Sequence, residues 1–385
     1  MTSSLSTTLG LLLLLLVAYD VYATILHARK RPGPISDTLN RIIWRAARAV
    51  AFRFNRQRRH QLLNAVGPLL LPSLIGMFIV LLVTGFALIY WPRMPSHFSV
   101  DPEATSPAWI EALYFSGTTL TTVGFGDISP IATSMRLVAF IECTSGFALI
   151  SLAVTYLLTV YGALERKRAI ARSFYHQAEE GADVAGFLAH HFIKGKFYGM
   201  ETALGTAARD IQGLMESHIE HPVIHYFHTQ EVYKSLPRML FLSLEICSVI
   251  QSCLDPEEYV ETHSHPEMRT LQASASHMLA QVVEALSLEK EAEKRIEDQF
   301  EESRRWHRRY KQTMSRLKES GIATNPEVQA GFVQYRANRQ EWEKRLHRFA
   351  HFMGYDWDEI TGDRDLNYAH DEEMAEPDSG QSGTL

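Results

Sequence analysis

Three windows of the chain are apolar for the length a helix needs to cross a hydrocarbon layer of about 30 Å, roughly 20 residues. They cover residues 5–26, 69–91 and 137–161. A fourth apolar piece, 109–120, is too short to cross. It follows Ser106-Pro107, a helix start with Ser as cap and Pro in the first turn, and so predicts a short re-entrant helix. Arg29, Lys30 and Arg31 follow the first window, Arg58 and Arg59 precede the second, and Arg166, Lys167 and Arg168 follow the third. The loop between the second and third windows carries only Arg93 and Arg136. Basic residues gather on the cytoplasmic side of short loops, which predicts a multi-pass protein with its N-terminus outside and its C-terminal part in the cytoplasm. The first window lacks a positive n-region and a small-residue cleavage site, so it is expected to be a span and not a signal peptide. Asp20 lies inside it, at a cost of about 3 kcal/mol or more if unpaired. The expected remedy is a tie to Arg29 or to a backbone donor, the alternative a role in gating.

Between the first two windows, Leu39, Ile42, Ile43, Ala46, Ala47, Val50 and Phe54 fall on one helical face, with Arg41, Arg45, Arg48 and Arg59 elsewhere. Such a basic amphipathic helix suits the inner membrane interface and anionic lipid, either as a passive anchor or as a sensor of lipid or tension. From Glu165 onward the periodicity is helical. Ile296, Phe300, Trp306, Tyr310, Met314 and Leu317 form one stripe, Ser320-Gly321 stops the helix, and Asn325-Pro326 opens another carrying Phe332, Tyr335, Trp342, Leu346, Phe349 and Met353. The pair predicts a helical hairpin whose aromatic stripe is core. No strand leads into Gly-x-Gly-x-x-Gly, which excludes a dinucleotide-binding regulatory domain. The tail after His370 is acidic and without a core pattern, and disorder is expected there.

An apolar content of 46% is ordinary, but the average conceals the crowding of apolar residues into the first 165 positions. The net charge of −6 hides a similar asymmetry, a basic block from Arg29 to Arg59 outweighed by acids nearer the C-terminus. That block borders membrane windows, so nucleic acid is not an expected partner. Cys143, Cys247 and Cys253 form neither a disulfide framework nor a zinc pattern, and are expected to be packed thiols. His190, His191, His221, His225, His228, His263 and His265 invite a pH or metal reading, although isolated helix histidines are commoner than sensors. No nucleophile and base, phosphate loop or carboxylate pair stands at catalytic spacing, so an enzyme is not expected. No window has Arg or Lys at every third position, as a voltage sensor requires.

The segment after the short helix is Thr121-Thr122-Val123-Gly124-Phe125-Gly126-Asp127. Carbonyls aimed at one axis by successive residues require alternating backbone twist. Gly124 and Gly126 supply positive φ at low steric cost, while Val123 and Phe125 pack outward. The Thr122 hydroxyl adds an oxygen at the inner end, and Asp127 stands at the outer mouth, where its charge concentrates cations. A helix over 108–119 would point its negative end toward the same axis, and Trp109, Tyr114 and Phe115 are expected to form a cuff.

The run Ala-Leu-Tyr-Phe-Ser-Gly-Thr-Thr-Leu-Thr-Thr-Val-Gly-Phe-Gly-Asp-Ile-Ser-Pro resembles the pore signature of potassium channels with two pore-forming helices and one pore loop per subunit, over about residues 69–161. The resemblance implies a selectivity filter at Thr122, Val123, Gly124, Phe125 and Gly126. Dehydrated K⁺ would be held by the carbonyls of Thr122, Val123, Gly124 and Phe125 and by the Thr122 hydroxyl, with no covalent cofactor. One loop per chain supplies a quarter of the ligands, which implies a homotetramer. Most members have Tyr at the position of Phe125, so a hydroxyl that would anchor the filter is missing. Gly146 matches a gating hinge of the family, and tight packing against the pore helix accounts for it equally well. Glu142, one turn earlier, is expected behind the filter in a buried hydrogen bond.

The expected fold is therefore an all-α membrane protein with three transmembrane helices, a re-entrant pore helix and filter, and an α-helical cytosolic domain. Its expected divisions are 1–27 (first span), 28–64 (interfacial segment), 65–165 (pore module), 166–369 (cytosolic domain) and 370–385 (tail). The expected function is potassium conduction gated by the cytosolic domain or the membrane. The alternatives are a less selective cation channel and a non-conducting scaffold or receptor.

Overall fold

The computed structural model describes residues 2–27, 32–100, 106–178, 183–288 and 299–362. Arg29, Lys30, Arg31, Ile296 and the acidic tail lie outside the described residues. The chain is an all-α membrane protein whose three apolar windows lie in three long helices, with a re-entrant helix between the second and third and further helices after them. It divides into two units. The first comprises Met1–Ala49, Ala65–Gly162 and His218–Phe227, and the second Val50–Asn64, Ala163–Ser217 and His228–Leu385.

In the first unit, α1 (Thr2–Val21) runs into a π-helical turn at Tyr22–Leu26. Then come α2 (Pro34–Ala51), α3 (Arg56–Tyr90), α4 (Met94–His97), α5 (Ala108–Leu120) and α6 (Thr133–Gln177). Strand β1 (Phe98–Ser99) pairs antiparallel with β2 (Ser129–Pro130), Phe98 opposite Pro130. Pro68 and Pro72 lie inside α3 without ending it, as is common in membrane helices, where neighbours take over the freed carbonyls. Helix α1 meets α3 at two glycines. A Cβ on Gly10 would stand 2.5 Å from the Gly85 carbonyl oxygen, so the backbones touch where side chains would hold them apart.

Asp20 is fully buried and satisfied by backbone donors at the start of α2. Its carboxylate accepts from Ile35 N at 2.6 Å and Ser36 N at 3.3 Å, and from the hydroxyls of Ser36 and Thr24. It acts as an N-cap delivered from another helix. The predicted amphipathic run over 37–59 is broken: α2 ends at Ala51, a turn follows, and Arg59 belongs to the foot of α3. The face of α2 buried within the chain carries Ser36, Asn40 and Trp44, while Ile42 and Val50 of the predicted apolar stripe are 59% and 49% exposed. Ile42 and Val50 thus face away from the rest of the chain, while Leu39 of the same stripe packs partly against the core of this unit.

The second unit contains α7 (Val184–His190), the hairpin β3 (Phe192–Ile193) and β4 (Lys196–Phe197), and most of α8 (Met200–Glu220). It continues with α9 (Leu236–Cys253), α10 (Val260–Ser264), α11 (Pro266–Ala285), α12 (Gln299–Glu319), α13 (Val328–Met353) and α14 (Trp357–Thr361). Helix α9 is long and apolar enough to span a membrane, but it is the core helix of this unit, buried almost throughout and packed by α11 and α13. The predicted hairpin is α12 and α13. Trp306, Tyr310, Tyr335, Trp342 and Phe349 are buried, and Gly321, at φ 75°, lies just after the end of α12. Charges in this core are mutually paired. Glu245 of α9 accepts from Arg309 and Arg339 at 3.1 Å each and from Tyr335 at 2.5 Å, and Arg339 also binds Glu343 at 2.6 Å.

Residues 50–64 belong with the C-terminal helices, and 218–227 with the membrane helices. In the second unit Arg56 and Arg59 pair with Asp356 at 2.6 and 2.7 Å. His60 Nδ1 lies 2.9 Å from His228 Nε2, and His60 Nε2 lies 3.1 Å from Glu359. All three cysteines are free, Cys143 half-buried and the other two buried.

Candidate functional site

Helix α5 begins where Pro107 accepts from Ile110 N at 2.8 Å, and it buries Ala112, Phe115, Ser116 and Leu120. Phe115, Tyr90 and Phe98 form a three-ring cluster, edge to face, with centroids 5.1 to 5.5 Å apart. Such contacts add to the burial of the rings themselves. The cluster fixes α5 against α3 and β1.

The carboxyl end of α5 passes directly into the glycine-containing loop. Thr121 N donates to Gly117 O and Thr122 N to Thr119 O, both at 3.1 Å, while Val123 N and Gly124 N share Thr118 O at 2.9 and 3.2 Å. The loop's first amides are therefore turned back onto the helix that precedes it. The backbone then alternates: φ is 61° at Thr122, 53° at Gly124 and 85° at Gly126, and Val123 and Phe125 between them are not positive. The two glycines adopt the conformation expected of them. Thr122 was not foreseen, because a residue with a Cβ is rarely left-handed. An alternating sign of φ turns successive peptide planes so that their carbonyls come to the same side.

Of the rings expected around this loop, Tyr114 reaches it. Its ring lies parallel to that of Phe125 at 6.5 Å, and its hydroxyl donates to Asp127 Oδ2 at 2.8 Å. Phe115 faces the three-ring cluster instead, and Trp109 is half exposed. The absence of a hydroxyl on Phe125 is thus partly made up one step along, by Tyr114 holding Asp127. Residues Thr121 to Asp127 are all exposed on the single chain.

Behind α5, Glu142 of α6 is fully buried and accepts from Ser116 Oγ at 2.5 Å and from the Tyr90 hydroxyl at 2.7 Å. A buried hydrogen bond was legible from a carboxyl in an apolar window; its partners were not. Gly146 lies against the end of α5, where a Cβ would stand 2.0 Å from the Leu120 carbonyl oxygen. The position that aligns with a hinge is thus a close backbone contact in this structure.

The family model described as "Ion channel" matches residues 76–162, which hold the upper part of α3, the whole of α5, the loop and most of α6. An uncharacterized membrane protein of Bacillus subtilis (strain 168), YdjJ, is 28% identical over 66% of this chain and 72% of its own length. The potassium channel protein kcv of Paramecium bursaria Chlorella virus 1 is 30% identical over 20% of this chain and 84% of its own. No solved structure matches the chain. The family model over residues 76–162, together with 30% identity to a viral potassium channel protein over 84% of that protein's length, places this chain in the potassium channel family with two pore-forming helices and one pore loop per subunit.

Proposed function

We propose that the chain is one subunit of a homotetrameric, potassium-selective channel, with K⁺ held by the carbonyls of Thr122, Val123, Gly124 and Phe125 and by the Thr122 hydroxyl, and with Gly126 and Asp127 closing the outer mouth. The observation that carries the reading is the alternation of φ from Thr122 to Gly126, with the adjoining amides already bonded to Thr118. Four copies of such a strand around one axis would supply the oxygen rings that replace a hydration shell. Similarity to a viral potassium channel protein supports potassium as the ion.

The flanking basic residues support a cell-membrane protein with its N-terminus outside and its C-terminal helices in the cytoplasm. The exposed Ile42 and Val50 of α2, with Arg41 and Arg45 beside them, support contact with anionic lipid. Gating belongs to the C-terminal domain or to the membrane, since no voltage-sensing series is present in the sequence.

Purified full-length protein in liposomes tests the assignment. A potassium-driven, barium-blocked flux with exclusion of sodium is expected, together with a fourfold mass on native mass spectrometry. Sodium permeation would favour a less selective cation channel, and silence in active-control vesicles would favour a scaffold.

A further inference from the structure

Glu142 is the only Asp, Glu, Lys, Arg or His in the window 137–161. An ionisable group at membrane depth is costly and is retained where it holds specific partners. Here both carboxylate oxygens are used, and by different helices: Ser116 of α5 and Tyr90 of α3. The Ser116 hydroxyl also lies 3.0 Å from the Val83 carbonyl of α3. One side chain of the inner helix thus joins all three helices of the pore module behind the loop.

The contact is the first of two rungs. Ser116 and Leu120 are four residues apart on α5, Glu142 and Gly146 four apart on α6, and each pair meets its counterpart. The second rung ends on the Leu120 carbonyl, next to the residues whose carbonyls hold the loop amides. Tyr90 extends the tie in the other direction. Its ring packs on Phe98 of β1, and β1 pairs with β2, the strand that leaves the loop three residues after Gly126. The loop is therefore gripped at both of its ends by elements that Glu142 connects.

We infer that Glu142 is a positioning residue for conduction: through Ser116 and Tyr90 it holds the pore helix in register with the inner and outer helices, and keeps the filter in its ion-holding shape when few ions occupy it. The inference rests on the potassium-conducting reading of the same loop. The physical basis is a competition between shapes. The alternating backbone is strained at Thr122. Ions bind that shape and not a collapsed one, so they stabilise it by mass action. Where ions are scarce, the hydrogen-bonded tie must supply the rest.

Single-channel recording of the full-length protein in planar bilayers tests this at low and at high potassium. Glu142→Leu keeps most of the volume and removes both acceptors. Its mean open time at low potassium should fall about tenfold, the equivalent of one buried hydrogen bond, and recover to within about twofold at high potassium. Glu142→Gln should restore most of the loss, since its amide can accept from Tyr90 and donate to Ser116. Should Glu142→Leu not assemble, Tyr90→Phe and Ser116→Ala each delete one hydroxyl and carry the same test, with smaller losses and the same potassium rescue. Open times equal to wild type at both concentrations, or a loss that high potassium does not restore, would overturn the inference while leaving the channel reading intact. A silent wild type would overturn the channel reading and the inference with it.

Discussion

Replacing Gly146 by alanine separates two accounts of that residue. A hinge glycine weakens its helix, and alanine would gain about 1 kcal/mol of helix propensity. The structure gives the opposite sign. The new Cβ would stand 2.0 Å from the Leu120 carbonyl oxygen and 2.9 Å from its carbonyl carbon, where real Cβ atoms keep at least 3.0 Å. The obstacle is backbone and has no rotamer to retreat to, so α5 and α6 must part by about 1 Å. Overpacking of this kind costs about 1–3 kcal/mol, which outweighs the propensity gain and leaves a net loss of up to about 2 kcal/mol. The melting temperature of the purified protein should fall by up to about 3 °C. Because Leu120 adjoins the carbonyls that receive the loop amides, potassium selectivity over sodium should fall too. Gly162, on the same helix with open space where a Cβ would stand, is the control, and Gly162→Ala should not lower stability. A Gly146→Ala protein that melts higher than wild type and keeps its selectivity would refute the packing account and favour the hinge.

Tyr114→Phe removes the hydroxyl that donates to Asp127; its filter should close sooner during sustained opening, measured as faster decay of macroscopic potassium current. His228, buried and beside His60, is pushed down to about 3 from 6.5. The unfolded chain therefore protonates first as pH falls, so this stability is complete above pH 6.5 and is lost toward pH 3, by up to about 5 kcal/mol. Glu359 acts with the same sign at lower pH: burial raises its value, but the His60 hydrogen bond and Arg56 outweigh this and hold it below the usual carboxylate range. Melting temperature should decline between pH 7 and pH 4, and His228→Gln should flatten the decline. Glu245→Ala leaves Arg309 and Arg339 without their shared acceptor in the core and should cost about 3–5 kcal/mol, read as loss of the C-terminal helices' cooperative unfolding by hydrogen exchange.

What the sequence made legible follows from constraints that act locally. Crossing a bilayer demands a length, so the three spans were countable. An alternating loop demands glycine, so Gly124 and Gly126 stood out, and a short capped helix before them fixed their setting. Partners distant in sequence left no such trace. Glu142 was visible as a carboxyl needing donors, but Ser116 and Tyr90 are 26 and 52 residues away. His60 gave no signal at all, a single histidine in a polar stretch whose partners are 168 and 299 residues further on. The face that α2 turns toward the chain left no trace in the sequence either: it is held by the polar Ser36 and Asn40 and by Trp44, none of which belongs to the apolar stripe.

One rule connects the polar atoms at membrane depth: a donor or acceptor without water must find its partner inside the protein. Asp20 meets it at the start of α2, Glu142 meets it between three helices, and the loop amides meet it on Thr118. The loop carbonyls stand apart from this scheme, because the alternating backbone that presents them also forces Thr122 to a φ of 61°. For an L-residue with a Cβ that conformation costs about 1–2 kcal/mol. A scaffold gains nothing from such a strain, and a relaxed turn would join α5 to α6 equally well. A dehydrated cation seated among the carbonyls would offset it, and would offset the lost hydration of the oxygens in the same step. The strained threonine therefore argues for conduction independently of sequence similarity.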